Sequence, residues 1–238
     1  MSTLFNKRRK PAVEAIGQGL LLMSFLAAVL YGGGWYPETG MWPVIIKGSA
    51  VGFLAVFVLT NLQSSNHALL FLALCASVTG DVLLAIPHES SFTRGLTAFL
   101  GAHVIFILLY LKNRLRAEDV TSLRVRLAAL LWALVAISGY LLYPHLGELL
   151  MPVLVYSAVL AAMATTALFS KYPVKLVALG AILFVISDSI LGVRQFMPAP
   201  DFTQYIVWAT YYLAVLLMTL GVMLNDDRRT NYGGYRFD

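Results

Sequence analysis

The chain has 238 residues, of which 59% are hydrophobic and only 12% are charged, and its mean hydropathy is +0.77. A soluble domain carries about 25% charged residues, so this composition excludes the soluble globular class and predicts an all-α membrane protein. One cysteine, Cys75, excludes an intrachain disulfide and any cysteine-rich metal signature. The formal charge of +5 does not indicate nucleic-acid binding, because the basic residues lie at the ends of the apolar stretches.

The apolar stretches follow one another along the whole chain. The first comes after the basic cluster at residues 7–10, and no small-x-small cleavage site follows it, which favours an uncleaved helix over a signal peptide. Each stretch is close to the ~20 residues that span ~30 Å of hydrocarbon. The connections are short, and one is predicted at residues 144–147. We predict a single transmembrane domain, residues 1–238, with a bundle of eight helices at about 14–32, 43–61, 67–87, 92–111, 125–143, 149–169, 175–194 and 203–224.

The basic residues predict the orientation of this bundle. Of the 17 lysines and arginines, 14 lie in the N-terminus, the 112–126 loop, the 171–175 loop and the C-terminal tail. The opposite loops hold only Arg94 and Arg194, and Lys47 lies just inside the second helix. The positive-inside rule therefore predicts that both termini are cytoplasmic. The short loops and this charge pattern suit a multi-pass protein of the bacterial inner membrane.

Two aspartates interrupt the apolar stretches in similar settings. Asp81 follows Gly80 in the third predicted helix, and Asp188 follows Ser187 in the seventh. After each acid comes an aliphatic run with a leucine and a small residue. An ionised carboxylate in hydrocarbon costs a few kcal/mol or more, so such residues usually face a polar cavity and have a function. The similarity also suggests an internal repeat of four plus four helices with parallel halves.

Other polar residues are predicted at a similar depth in the membrane. At 1.5 Å per residue, both aspartates lie ~9 Å below the outer boundary. Lys47, Tyr156 and Tyr211 fall roughly 6–12 Å below the same boundary and His103 about 16 Å below it. These side chains, together with Ser187 and Tyr212, form the candidate site.

Each candidate also has a purely structural interpretation. The aspartates could hydrogen-bond a helix backbone or pair with Lys47, and Lys47 could extend to the membrane surface. His103 and Ser187 could be packing residues, and the tyrosines could belong to an interfacial aromatic belt.

Several enzyme classes lack their motifs in this chain. There is no HExxH zinc motif and no GxSxG nucleophile motif. The GxGD motif of intramembrane aspartyl proteases is half present at residues 78–81, and their Pro-Ala-Leu motif is absent. We predict no metal and no other cofactor.

An ordered set of short motifs runs through predicted helices two to eight: Lys47, Gly80-Asp81, Leu84, Pro87, Gly95, Phe99, His103, Pro152, Tyr156, residues 180–196, and Tyr211-Tyr212-Leu213-Ala214. This set resembles the YhhN or lysoplasmalogenase family of integral membrane proteins. The chain differs from the family pattern at Val215, where glutamine is usual, and at Gly192, where alanine is common.

The resemblance implies hydrolysis of the vinyl ether bond of lysoplasmalogens. The products are a fatty aldehyde and either glycerophosphoethanolamine or glycerophosphocholine. This chemistry needs one protonated carboxyl group and one carboxylate, and two neighbouring acids in a poorly solvated site hold different protonation states. Asp81 and Asp188 form the predicted acid–base pair, and His103 assists catalysis by orienting water or a carboxylate. Lys47 binds the phosphate or tunes a carboxylate. The substrate-binding set is completed by Tyr156, Tyr211, Tyr212 and Ser187.

A different class of function fits the same residues. A small transporter or amphiphile-binding membrane protein could use the acids as a proton relay and leave its ligand chemically intact. Hydrolysis of another lipid ether or ester is a third alternative. In the hydrolase interpretation the partners are a lysophospholipid substrate and membrane lipids, and the sequence gives no oligomeric state.

Overall fold

The computed structural model describes residues 11–37 and 39–232, and this part of the chain is helical with no β-strand. Helices are expected here, because a segment in hydrocarbon must satisfy its backbone hydrogen bonds internally. The basic clusters at 7–10 and at Arg236 lie outside the described residues. The helices are α1 (Pro11–Gly33), α2 (Trp42–Thr60), α3 (Ser65–Ala85), α4 (Ser91–Lys112), α5 (Ser122–Leu146), α6 (Leu150–Leu168), α7 (Leu179–Phe196) and α8 (Thr203–Tyr232).

Seven stretches of the described residues are long and apolar enough to cross a membrane. Six of them each contain one of the helices, and a π-helical turn at Val174–Ala178 leads into α7. The remaining stretch, Ser122–Leu168, is 47 residues long and contains both α5 and α6. The prediction of an all-α chain with several helices of membrane-spanning length is therefore confirmed.

Helices α5 and α6 form an antiparallel hairpin. The indole N–H of Trp132 donates to the Thr165 hydroxyl at 3.1 Å, and Gly139 lies opposite Leu154. The predicted connection at 144–147 was wrong in extent, since α5 continues through Pro144 to Leu146. A proline near the end of a helix removes only one late hydrogen bond. The direction changes instead at Gly147, whose φ of +51° favours glycine, followed by a single 3₁₀ turn at Gly147–Leu149.

Glycines allow the acid-bearing helices to approach the helices that follow them. A β-carbon at Gly80 of α3 would lie 2.6 Å from the Phe99 ring of α4. A β-carbon at Gly180 of α7 would lie 2.8 Å from the Ala214 carbonyl oxygen of α8. Small residues have this role in membrane helix pairs, where close van der Waals packing drives association. Both acids are thus held on closely packed helix pairs.

We expect Gly180→Ala to destabilise the protein, because its β-carbon would meet the backbone of α8. Overpacking of this kind costs typically about 1–3 kcal/mol. The matched control is Gly52→Ala, since a β-carbon at Gly52 has no neighbour within 4 Å. Thermal unfolding of the purified protein in detergent should give a lower midpoint for Gly180→Ala and an equal or slightly higher one for Gly52→Ala. Equal midpoints for Gly180→Ala and the unaltered chain would contradict the packing argument.

Candidate active site

Asp81 is held between a tyrosine and a lysine from two other helices. Its side chain is 1% exposed, and the Tyr211 hydroxyl of α8 donates a hydrogen bond to its Oδ2 at 2.7 Å. The Lys47 Nζ of α2 lies 4.0 Å from its Oδ1 and 5.8 Å from the centre of the Tyr31 ring. Both carboxyl oxygens therefore have a partner, and the lysine has an anion and an aromatic face to offset its own burial.

Asp188 is contacted by a second tyrosine, which is in turn contacted by a histidine. The Tyr156 hydroxyl of α6 donates a short hydrogen bond to the Asp188 Oδ2, and the His103 Nε2 lies 3.0 Å from the Tyr156 oxygen. Because the hydroxyl gives its only proton to Asp188, we infer that the His103 Nε2 carries a proton and donates to Tyr156. His103 is fully buried and reaches Asp188 through this relay, with its Nε2 3.9 Å from the Asp188 Oδ2.

Aromatic rings fill the space between the two acid clusters. Phe184 packs edge-on against Tyr211 at 5.3 Å and against His103 at 4.8 Å between ring centres. Phe99 packs edge-on against both Phe184 and Tyr211. Edge-to-face pairs of this kind are favourable beyond the area they bury. The rings fix the positions of the tyrosine and the histidine that hold the acids.

Both acids line one polar cavity of about 160 Å³. Helix α7 lines it with Ser187, Leu191 and Arg194, which are spaced at i, i+4 and i+7 and so share one helix face. The polar side chains around this cavity include those of Lys47, Asp81, Asp188, Arg194, Gln204 and Tyr211.

An apolar cavity of about 60 Å³ lies beside the polar one, with walls from α3, α4, α5, α6 and α7. Phe92 and Phe196 line it and pack edge-on against each other at 5.5 Å, at the end near the loops after α3 and α7. Four residues line both cavities, and Asp188 is the only acid among them: Leu84, Phe99, Asp188 and Leu191. Asp188 therefore stands where a polar space meets an apolar one.

The structure brings together most, though not all, of the predicted site. Lys47, Asp81, Asp188 and Tyr211 line the polar cavity, and Tyr156 lines the apolar one. Ser187 also lines the polar cavity, but its hydroxyl donates to the Val207 carbonyl oxygen of α8 at 2.9 Å.

Two predicted residues lie away from both cavities. His103 lies behind Tyr156, and Tyr212 turns towards α1, where its hydroxyl is 2.9 Å from the Ser24 hydroxyl. Val215, at which this chain differs from the family pattern, is fully buried in the core and lines neither cavity.

Sequence reasoning missed four residues with polar groups that line the polar cavity: Tyr31, Arg194, Gln204 and Trp208. Arg194 is the charged one among them. It was counted as an outer-loop charge, although it lies two helical turns after Ser187 on the same face of α7. Its guanidinium donates to the Thr203 hydroxyl and to the Pro200 carbonyl oxygen at 3.0 Å, which holds it at the cavity.

Within the described residues, no group of three or more His, Cys, Asp or Glu side chains could hold a metal ion.

The fold and the site define an integral membrane protein with a pair of carboxyl groups at a cavity inside its helix bundle. The profile of the YhhN family matches residues 42–222. The chain belongs to the YhhN family, as its motifs predicted.

Named relatives cover most of the chain. A Mycobacterium tuberculosis protein named Lysoplasmalogenase is 37% identical over 186 residues, which are 76% of this chain and 70% of the relative. Mouse Lysoplasmalogenase TMEM86B is 30% identical over 211 residues, which are 87% of each chain. Human Lysoplasmalogenase TMEM86B is 28% identical over 203 residues, which are 83% of each chain. No solved structure matches this chain.

We expect the Lys47–Asp81 contact to stabilise the fold in a way that depends on both partners. Removing one partner of a buried pair leaves the other uncompensated, so the double variant Lys47→Met/Asp81→Asn should lose less stability than the sum of the losses in the two single variants. A coupling energy of about 1 kcal/mol or more is expected from unfolding in detergent. The exposed pair Arg116–Glu118, with side chains 79% and 72% exposed, is the control and should show no measurable coupling. Additive effects at Lys47 and Asp81 would contradict the pairing.

Proposed function

We propose that this protein hydrolyses the vinyl ether bond of lysoplasmalogens, giving a fatty aldehyde and glycerophosphoethanolamine or glycerophosphocholine. The observation that carries the proposal is the pair of carboxyl groups, Asp81 and Asp188, which line one cavity and are each held by a tyrosine hydroxyl. The name of the relatives, lysoplasmalogenase, supports the same reaction.

Asp188 is the proposed proton donor. Its Oδ2 accepts from Tyr156, so the proton to be transferred sits on Oδ1. Transfer of this proton to the β-carbon of the vinyl ether leaves an oxocarbenium ion, the type of cation that paired carboxylates stabilise in glycosidases.

Asp81 is the proposed base. It has an ammonium group within 4.0 Å, which suits the acid that carries the negative charge at the start of the reaction. Water adds to the oxocarbenium carbon and loses a proton to Asp81, which gives a hemiacetal. In its collapse the hemiacetal hydroxyl returns a proton to Asp188, the bond to the glycerol oxygen breaks, and that oxygen takes the proton from Asp81. The sum is one water consumed, with both acids restored.

His103 and Tyr156 are positioning residues in this scheme. His103 donates a hydrogen bond to the Tyr156 oxygen, so the hydroxyl proton of Tyr156 is directed at Asp188. This hydrogen bond fixes the orientation of the Asp188 carboxyl group. Tyr211 has the same role at Asp81.

The polar cavity is the proposed place of the head group. Lys47 and Arg194 both line it, and a phosphate is the anionic group that a lysophospholipid would offer to two cations. Arg194 is held by the loop after α7, so it is presented to the cavity from the loop end of that helix.

The α5–α6 hairpin supports eight crossings rather than seven. We infer that this antiparallel pair, within a 47-residue stretch, crosses the membrane twice, which would bring both termini of one transmembrane domain to the same side. The basic loops favour the cytoplasm for that side, and the short connections suit the bacterial inner membrane.

A repeat of four plus four helices is supported by local packing. In each half the acid-bearing helix packs through a glycine on the helix that follows it, at Gly80 on Phe99 and at Gly180 on Ala214.

We expect the turn between α5 and α6 to face the outside of the cell. With Cys75→Ser as the background, Glu148→Cys should react with an impermeant maleimide in intact cells, whereas Lys171→Cys should react only after lysis. Glu148→Cys that stays unlabelled until lysis would contradict the eight-crossing topology.

We expect Asp81→Asn and Asp188→Asn each to slow aldehyde release from lysoplasmalogen by about 100-fold or more, the usual scale of general acid–base catalysis. The purified protein in detergent is assayed for aldehyde, and thermal midpoints confirm that each variant is folded. A saturated 1-O-alkyl analogue, which lacks the vinyl group, should stay intact. Full activity in either variant would exclude the pair, and intact lysoplasmalogen with the unaltered protein would favour transport or another substrate.

We expect Arg194→Gln to raise the KM for lysoplasmalogen by about tenfold and to change kcat by less than about threefold. A phosphate contact is made equally in the ground and transition states, so its loss acts on KM. Arg94→Gln is the matched control, because Arg94 is another arginine near a helix end and lines neither cavity. An unchanged KM for Arg194→Gln would remove Arg194 from the head-group site.

A further inference from the structure

Helix α5 is most deeply buried towards its two ends, and its middle lines the apolar cavity. Its buried residues lie at 128–131 and 142–146. Between them Val135, Ser138 and Gly139 are only half-buried and line the apolar cavity. The middle of α5 therefore forms one wall of this cavity, beside α4, α6 and α7.

This space is suited to hydrocarbon. Two of its polar groups are already engaged, since Ser189 donates to the Val185 carbonyl oxygen at 2.7 Å and Tyr156 donates to Asp188. The rest of the wall is largely leucine, valine and phenylalanine. Phe92 and Phe196 pack together at one end, and Asp188 stands where the cavity meets the polar one.

We propose that this apolar cavity binds the single alkenyl chain of the substrate, and that Val135 on α5 limits the length of chain that it accepts. The inference rests on the proposed function. An amphiphile with its phosphate at Lys47 and Arg194 and its chain under α5 has its head–tail junction at Asp188. The vinyl ether is that junction. A cavity of about 60 Å³ offers room for part of one hydrocarbon chain.

Two substitutions separate the cavity from the lipid-facing side of the same helix. Val135→Phe directs a ring into the cavity, whereas Ala136→Phe adds the same ring at the next position, which is exposed. Neither residue belongs to the proposed catalytic or head-group set.

The first measurement compares kcat/KM for a hexadecenyl lysoplasmalogen and for its butenyl analogue, with the head group kept the same. We expect Val135→Phe to lower the value for the long chain by about tenfold or more and the value for the short chain by less than about threefold. Ala136→Phe should change neither. Equal losses on both chains, or none on the long one, would overturn the chain site while leaving the proposed hydrolysis intact.

The second measurement does not depend on turnover. A saturated 1-O-alkyl lysophospholipid with a diazirine near the start of its chain is bound to the full-length protein in detergent, photolysed, and mapped by mass spectrometry. We expect label in the stretches 135–142 and 153–160, lost in Val135→Phe and kept in Ala136→Phe. Label confined to exposed faces, or label unaffected by Val135→Phe, would overturn the inference. Cavity labelling without any aldehyde release from lysoplasmalogen would support the chain site and reject the hydrolase.

Discussion

The structure depends on keeping two carboxyl groups inside an apolar helix bundle. Each acid is held by one tyrosine hydroxyl from another helix: Tyr211 of α8 reaches Asp81 of α3, and Tyr156 of α6 reaches Asp188 of α7. Without such partners a buried carboxyl group would cost several kcal/mol. These contacts set the relative positions of four helices, and the ring of Phe184 keeps the two tyrosine clusters apart.

The same arrangement gives the two ends of the site different polarity. One cavity is lined by several charged side chains and the other mainly by apolar ones, and Asp188 lines both. A single-chain amphiphile has the same two-part character, so its polarity alone would orient it. In the proposed complex, the acid at the junction would then lie next to the bond between head and tail. This matching of polarity along the site links the fold to the proposed chemistry.

The sequence predicted the helices and the approach of several polar residues to one another, because both follow from distance along the chain. Apolar stretches of spanning length mark the helices, and the rise per residue places Lys47, Asp81 and Tyr211 at one level. Direction around a helix depends on packing that the sequence does not display. Tyr211 and Tyr212 are neighbours at almost the same depth, yet one holds Asp81 and the other turns to Ser24. Arg194 was overlooked for the related reason that a charge near a helix end was taken for a loop charge.

Gly80 connects packing with the site in a further way. The ring that fills the space of its missing side chain is that of Phe99, which also lines both cavities. A larger residue at position 80 would push this ring towards the space proposed for the substrate as well as strain the α3–α4 contact. The limit on side-chain size at this position is thus set by the cavity and by the helix pair together. Stability and activity, which often oppose each other at functional sites, here favour the same residue.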